Sequence, residues 1–119
     1  VHVEPEADIS RYAIGREWEN TEIGGSNGRP LQTKVAPVAA PSFTVTADGG
    51  QTDKASVTHP TEKRKFSIAE LRRICGFPDD FALTGTYAQQ WERLGRAVPP
   101  VMMSHIAATI RDEVLCKMK

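Results

Sequence analysis

Residues 64–100 constrain the fold most. They read R-K-F-S-I-A-E-L-R-R-I-C-G-F-P-D-D-F and, after a short spacer, Y-A-Q-Q-W-E-R-L-G-R-A-V-P-P. Ser67-Ile-Ala-Glu70 has capping-box spacing: the serine hydroxyl accepts the Glu70 N–H, and the glutamate reaches back to the Ser67 N–H. Ile68, Leu71, Ile74 and Cys75 then form one apolar face. Gly76 is placed to end the helix in a left-handed conformation, and Pro78 prevents its resumption. A second short helix is predicted from Thr86 to Leu94. A third starts near Pro99 or Pro100, where proline suits a first turn. In this last helix Met102, Ile106, Ile110 and Val114 recur every four residues, flanked by Met103 and Ala107, and this stripe requires a partner surface.

The first half has a different texture. Residues 1–8 are a polar lead-in, and Ile9 to Glu19 reads as a short helix with Asp8 as N-cap. Gly24, Gly25, Ser26, Asn27 and Gly28 form a loop. Strands are predicted over Leu31–Val38, Phe43–Ala47 and Ala55–His59, with Asp48-Gly49-Gly50 as the turn between the last two. The expected fold class is α+β, a small antiparallel sheet followed by a C-terminal group of helices. The division falls at residue 60: loops and sheet over 1–60, helices over 61–119.

A chain of 119 residues forms one domain at most and buries a modest core. Its formal net charge is zero, which argues against strong nonspecific polyanion binding. The charge is nevertheless divided: residues 1–60 hold 5 Lys/Arg and 8 Asp/Glu, residues 61–119 hold 10 and 7. The cluster Lys63, Arg64, Lys65, Arg72 and Arg73 reads equally well as a solvated helix edge. Cys75 and Cys116 have neither metal nor redox spacing and are expected as buried thiols in a reducing, cytoplasmic setting. No stretch has the length and apolarity of a membrane span. His2, His59 and His105 are scattered, which leaves a metal-dependent or hydrolytic enzyme without a site.

Three blocks resemble the cytosine-5 DNA methyltransferases. Pro41-Ser-Phe-Thr-Val-Thr-Ala47 with Gly49-Gly50 is similar to the segment closing the family's target-recognition region; Arg64 to Phe81 resembles its ninth motif, and Gln89-Gln90-Trp91 through Pro100 its tenth. The resemblance covers about residues 11 to 115. It implies the small DNA-facing domain of a two-domain enzyme that transfers a methyl group from S-adenosylmethionine to cytosine in DNA. It further implies that Thr44 contacts the phosphate beside an extruded cytosine and that the Asp48–Gln51 turn, with Gly49 and Gly50, approaches major-groove base edges. Arg64 and Lys65 would support the recognition loops or meet the DNA backbone, with structural support favoured for Arg64 because a planar fork satisfies several acceptors at once. Gly95 would permit a tight turn, and Arg96, Ala97 and Val98 would lie at the cofactor site. Arg96 departs from the family's usual asparagine: it is larger, charged and cannot accept a hydrogen bond. Pairing with the cofactor carboxylate and obstruction of the pocket are both compatible with it.

The family's chemistry uses a cysteine in a Pro-Cys loop as nucleophile. Cys75 sits in Ile-Cys-Gly and Cys116 in Leu-Cys-Lys, so the segment is expected to be inactive alone. The expected partners are double-stranded DNA and a catalytic domain or subunit of the same enzyme, with self-association through the C-terminal helix when that partner is missing. The competing reading is a noncatalytic DNA-binding or protein-interaction module derived from such an enzyme, and Arg96 is the feature that favours it.

Overall fold

A computed structural model describes residues 2–26 and 33–118. The order is a 3-10 turn at Pro5–Ala7, α1 (Ala13–Glu19), β1 (Lys34–Val35), β2 (Val57–Thr58), α2 (Ile68–Ile74), α3 (Tyr87–Arg96), α4 (Pro100–Glu113) and a 3-10 turn at Leu115–Lys117. The class is α+β, with one correction: β1 and β2 pair in parallel, Lys34 opposite Val57 and Val35 opposite Thr58. Parallel strands need a long crossover, and residues 36–56 supply it without a helix. Antiparallel pairing survives as isolated bridges, Asp8 with Arg64 and Thr58 with Lys65 among them.

The reason lies in residues 41–54. Phe43–Thr46 forms no strand, yet its burial alternates: Phe43 and Val45 pack against the core while Thr44 and Thr46 are exposed. It joins no ladder among the described residues. After it the chain makes successive turns (Gly49 N–H to Thr46 O, Gln51 N–H to Asp48 O, Lys54 N–H to Gln51 O), so it does not double back as a hairpin. The predicted strand over Leu31–Val38 falls partly outside the described residues; its visible part includes β1. The predicted 24–28 loop likewise lies partly outside them.

The helices follow their caps. Ser67 and Glu70 make the expected reciprocal bonds, 3.2 Å from the Glu70 N–H to Ser67 Oγ and 2.9 Å from the Ser67 N–H to Glu70 Oε2. Gly76 stops α2 at φ 80°, with the Phe77 N–H on the Arg72 carbonyl and its own N–H on that of Arg73, both at 3.0 Å. This is a Schellman closure. Thr86 and Gln89 form a second capping box, carried in the sequence as T-Y-A-Q. α3 runs past the predicted Leu94 to Arg96. α1 starts later than predicted because Asp8 accepts the Ser10 N–H at 2.9 Å, a local turn that competes with capping; Tyr12 is the N-cap and makes no side-chain capping bond.

The core gathers Ala7, Ala36, Val57 and Phe66 with Ile68, Leu71 and Cys75 of the α2 region and Tyr87, Trp91 and Leu94 of α3. Tyr87, Trp91 and Leu94 share one α3 face by their spacing, and the Tyr87 hydroxyl donates to the Phe66 carbonyl at 2.7 Å. Cys75 is buried as expected, but Cys116 is exposed. It follows α4, and α4 has no buried residue along its 14 positions. The helix extends from the body and stretches the molecule to 60 × 31 × 23 Å.

Candidate nucleic-acid interface

The exposed rim of the turn at residues 44–54 is polar. Thr44, Thr46, Asp48, Gln51, Thr52, Asp53 and Lys54 are all exposed, whereas Gly49 and Gly50 are buried beneath them. The glycines are required by close approach. A Cβ on Gly49 would lie 2.6 Å from Trp91 Nε1, and one on Gly50 would lie 2.5 Å from Trp91 Cβ and 3.0 Å from Ala88 Cα. The Trp91 indole N–H donates to the Thr46 carbonyl at 2.9 Å. Gly95, within α3 and not in the tight turn expected, admits this backbone on the same side: its Cβ would meet Thr46 O at 2.7 Å. Thus α3 grips the inner edge of the turn.

Lys65 grips it from below. The side chain is fully buried, and its ammonium donates to the carbonyls of Gly49 at 2.7 Å, Gln51 at 2.6 Å and Lys54 at 2.9 Å. Burial pushes the amine down to about 8, and Asp53 and Asp48 pull it back upward. The main chain of Lys65 is itself fixed, with its N–H on the Ala7 carbonyl at 2.8 Å. Sequence spacing places Lys65 in a basic run and carries no signal that the amine turns inward.

Arg64 faces the other way. Its guanidinium binds Glu70 with two bonds, 2.8 Å from Nη1 to Oε2 and 2.9 Å from Nη2 to Oε1. Nη1 also reaches the Lys65 carbonyl at 3.0 Å, and Nε binds Glu62. The Arg64 bonds hold the Glu70 carboxyl down at about 2, against burial and with help from the Ser67 N–H. The hydrogen bonds that Arg64 donates to Glu70 likewise raise the pKa of Arg64. Beside this pair, burial and then the positive charge of Arg64 lower the pKa of His59, whose Nδ1 accepts the Glu62 N–H at 3.1 Å.

Arg96, Ala97 and Val98 diverge. Arg96 Nη2 binds Glu92 at 2.8 Å along α3, and Arg96 lines a shallow cavity of 210 Å³ shared with Ala47, Asp48 and Gln51 of the 44–54 turn. Ala97 caps α3 in an extended conformation and lines a different cavity, 370 Å³, with Phe77, Phe81, Leu83 and Leu94. Val98 is exposed. The structure therefore brings Gly49, Gly50 and Lys65 together beneath one turn. Thr44 and Arg96 lie on exposed positions of that region, and Ala97 faces another hollow. Trp91 organises the turn, and its place in the tenth-motif resemblance carries no signal of that role. Among the described residues there is no group of metal-binding side chains and no helix long and apolar enough to cross a membrane.

Comparison with known proteins gives a class and then a family. This α+β chain, with a polar turn clamped over its helices, matches the profile of the C-5 cytosine-specific DNA methylase over residues 4–112. The chain belongs to the C-5 cytosine-specific DNA methylase family. It is 28% identical over 102 residues to type II methyltransferase M.Sau96I of Staphylococcus aureus, covering 86% of this chain and 22% of that protein. It is 35% identical over 74 residues to putative type II methyltransferase M.OihORF3336P of Oceanobacillus iheyensis, covering 62% of this chain and 16% of that protein. DNA (cytosine-5)-methyltransferase 1 of Gallus gallus is 35% identical over 78 residues, 66% of this chain and 5% of that protein. The chain thus spans about a fifth or less of these relatives. No solved structure matches it.

Proposed function

We propose that this chain is the C-terminal DNA-recognition and structural portion of a cytosine-5 DNA methyltransferase, acting in restriction-modification and clasping double-stranded DNA against a catalytic domain or subunit of the same enzyme. The observation that carries the reading is the family match over 4–112 falling on a fold whose polar 44–54 rim is held rigid from within. The exposed Thr44 hydroxyl would donate to a phosphate, and the outer side chains of the turn, Gln51 among them, would read base edges. The target cytosine would leave the stack to reach a nucleophile on the catalytic part. Arg64 supports the frame through Glu70 and is not the phosphate ligand; Lys65 acts on the turn and not on the DNA backbone.

S-adenosylmethionine, when bound, supplies the electrophilic methyl group. The residues here would fit one flank of its pocket: Ala97 is small and extended beside a cavity, Val98 is exposed, and Arg96 is paired with Glu92 along α3. An Arg96 held along α3 by Glu92 would leave room beside Ala97; a noncatalytic module derived from such an enzyme is the alternative reading, and Arg96 is the feature that favours it. The bare α4 stripe, Met102, Ile106 and Ile110, would cover and be covered by the catalytic part.

The test is methyl transfer from labelled S-adenosylmethionine to plasmid DNA by this chain assembled with the catalytic region encoded upstream of Val1 or in an adjacent gene. Activity of the assembly and none of the chain alone is the expected result. No catalytic region in either place, or full activity of the chain alone, would sink the reading.

A further inference from the structure

A lysine ammonium has three N–H donors, and in Lys65 each of them has a carbonyl of one six-residue stretch: Gly49, Gln51 and Lys54. Three carbonyls pointing at one another repel unless a cation or several donors stand between them, and among the described residues no carboxylate accepts from this amine. The charge-assisted bonds are therefore what allows the turn to point these carbonyls inward. With its carbonyls directed inward, the turn keeps Gln51, Thr52, Asp53 and Lys54 exposed on its outer side. The acidic groups acting on the amine are Asp53 and Asp48, both on the turn itself. The lysine backbone is tied to the frame on two sides, through the Ala7 carbonyl and the bridge to Thr58.

We propose that Lys65 is the positioning residue of the recognition turn: its buried ammonium moulds residues 49–54 into the conformation that reads DNA sequence. This rests on the reading of 44–54 as the DNA-facing rim. Lys65 touches no base or phosphate in this role. It acts through the turn, so its loss degrades discrimination between sequences more than overall affinity, which the electrostatics of the assembled enzyme supplies.

The test compares wild type with Lys65→Met, which keeps the stem and removes the donors, and with Ile14→Val, a core trim remote from the turn. Backbone amide hydrogen exchange is followed over residues 46–54, and plasmid DNA methylated by each assembled enzyme is mapped by bisulfite sequencing. The expected result for Lys65→Met is about tenfold faster exchange confined to the turn and about tenfold more methylation at sites differing by one base from the wild-type site. Ile14→Val should leave both unchanged. Unaltered exchange in Lys65→Met, or faster exchange with an equally strict site, overturns the proposal. Should Lys65→Met not fold, the wild-type ammonium decides: slowly exchanging Nζ protons with correlations to the 49–54 carbonyls support the clasp, and a freely exchanging amine refutes it. Wild-type assembly that methylates nothing would instead overturn the functional reading, while the exchange data still report on the clasp.

Discussion

Trp91 and Gly50 are in contact so close that one added methyl group would lie 2.5 Å from the indole-bearing Cβ. The contact joins α3 to the turn at residues 46–54. Gly50→Ala should therefore destabilise the fold by about 2 kcal/mol, the range of overpacked cores, although alanine is ordinarily the easier residue to order. Gly95→Ala, which places a carbon 2.7 Å from the Thr46 oxygen, should also destabilise despite alanine's better helix propensity. Urea denaturation of both variants checks the sign, and an unchanged or raised midpoint for either would contradict the contact.

Arg64 and Glu70 should behave as one unit. Arg64→Ala leaves the Glu70 carboxylate and the Lys65 carbonyl without the guanidinium and should cost about 2 kcal/mol. Glu70→Gln removes the charge and weakens the capping box. A double-mutant cycle by chemical denaturation should show the two losses adding to clearly more than that of the double variant.

The same pair sets an acid limit. The folded-state pKa of Glu70 is about 2, below its ordinary value of 4.5, so the folded chain releases this proton more readily than the unfolded one. Its contribution is fully present above about pH 4.5 and is lost as pH falls from there toward 2. The pair is partly open to solvent, which limits its size. Stability measured between pH 6 and 2.5 should fall less steeply in Glu70→Gln than in wild type.

Much of this was legible in the sequence, for local reasons. The Ser67–Glu70 box, the Gly76 stop and the α4 stripe are encoded within single turns of chain, and each appears where its residues dictate. The parallel pairing was not legible, because Phe43–Ala47 has a strand's alternation yet satisfies its backbone partly through Trp91, far along the chain. The direction of Lys65 was hidden for a similar reason. A basic run reads as solvated charge, and only the folded crossover places three carbonyls around one of its members. Gly49 and Gly50 looked like turn residues, and they are; that Trp91 dictates their lack of a side chain depends on tertiary contact.

Thr44 allows the proposed DNA contact to be tested apart from folding. Its side chain is exposed and the segment belongs to no ladder among the described residues, so Thr44→Ala should leave the denaturation midpoint unchanged, within about 0.5 kcal/mol. Under the proposed function, loss of its hydroxyl should weaken DNA binding by the assembled enzyme about fivefold, the scale of one hydrogen bond. Binding isotherms on duplex DNA at fixed salt measure this, and equal affinity for both proteins would remove Thr44 from the interface.

The C-terminal helix gives the prediction of largest amplitude. Met102, Ile106 and Ile110 are each about half exposed, on a helix with no buried residue. Their burial must come from another surface, since a stripe of this kind is costly to leave in water. In isolation the chain should form dimers through α4, seen by light scattering as a mass above the 13.1 kDa of one chain. Ile106→Glu should return it to monomer without lowering the stability of the body, because α4 contributes nothing to the core. The same substitution should abolish assembly with the catalytic part, since both associations would use one face. An isolated wild-type chain that stays monomeric at high concentration, or an Ile106→Glu variant that still assembles, would show that α4 is not the docking element.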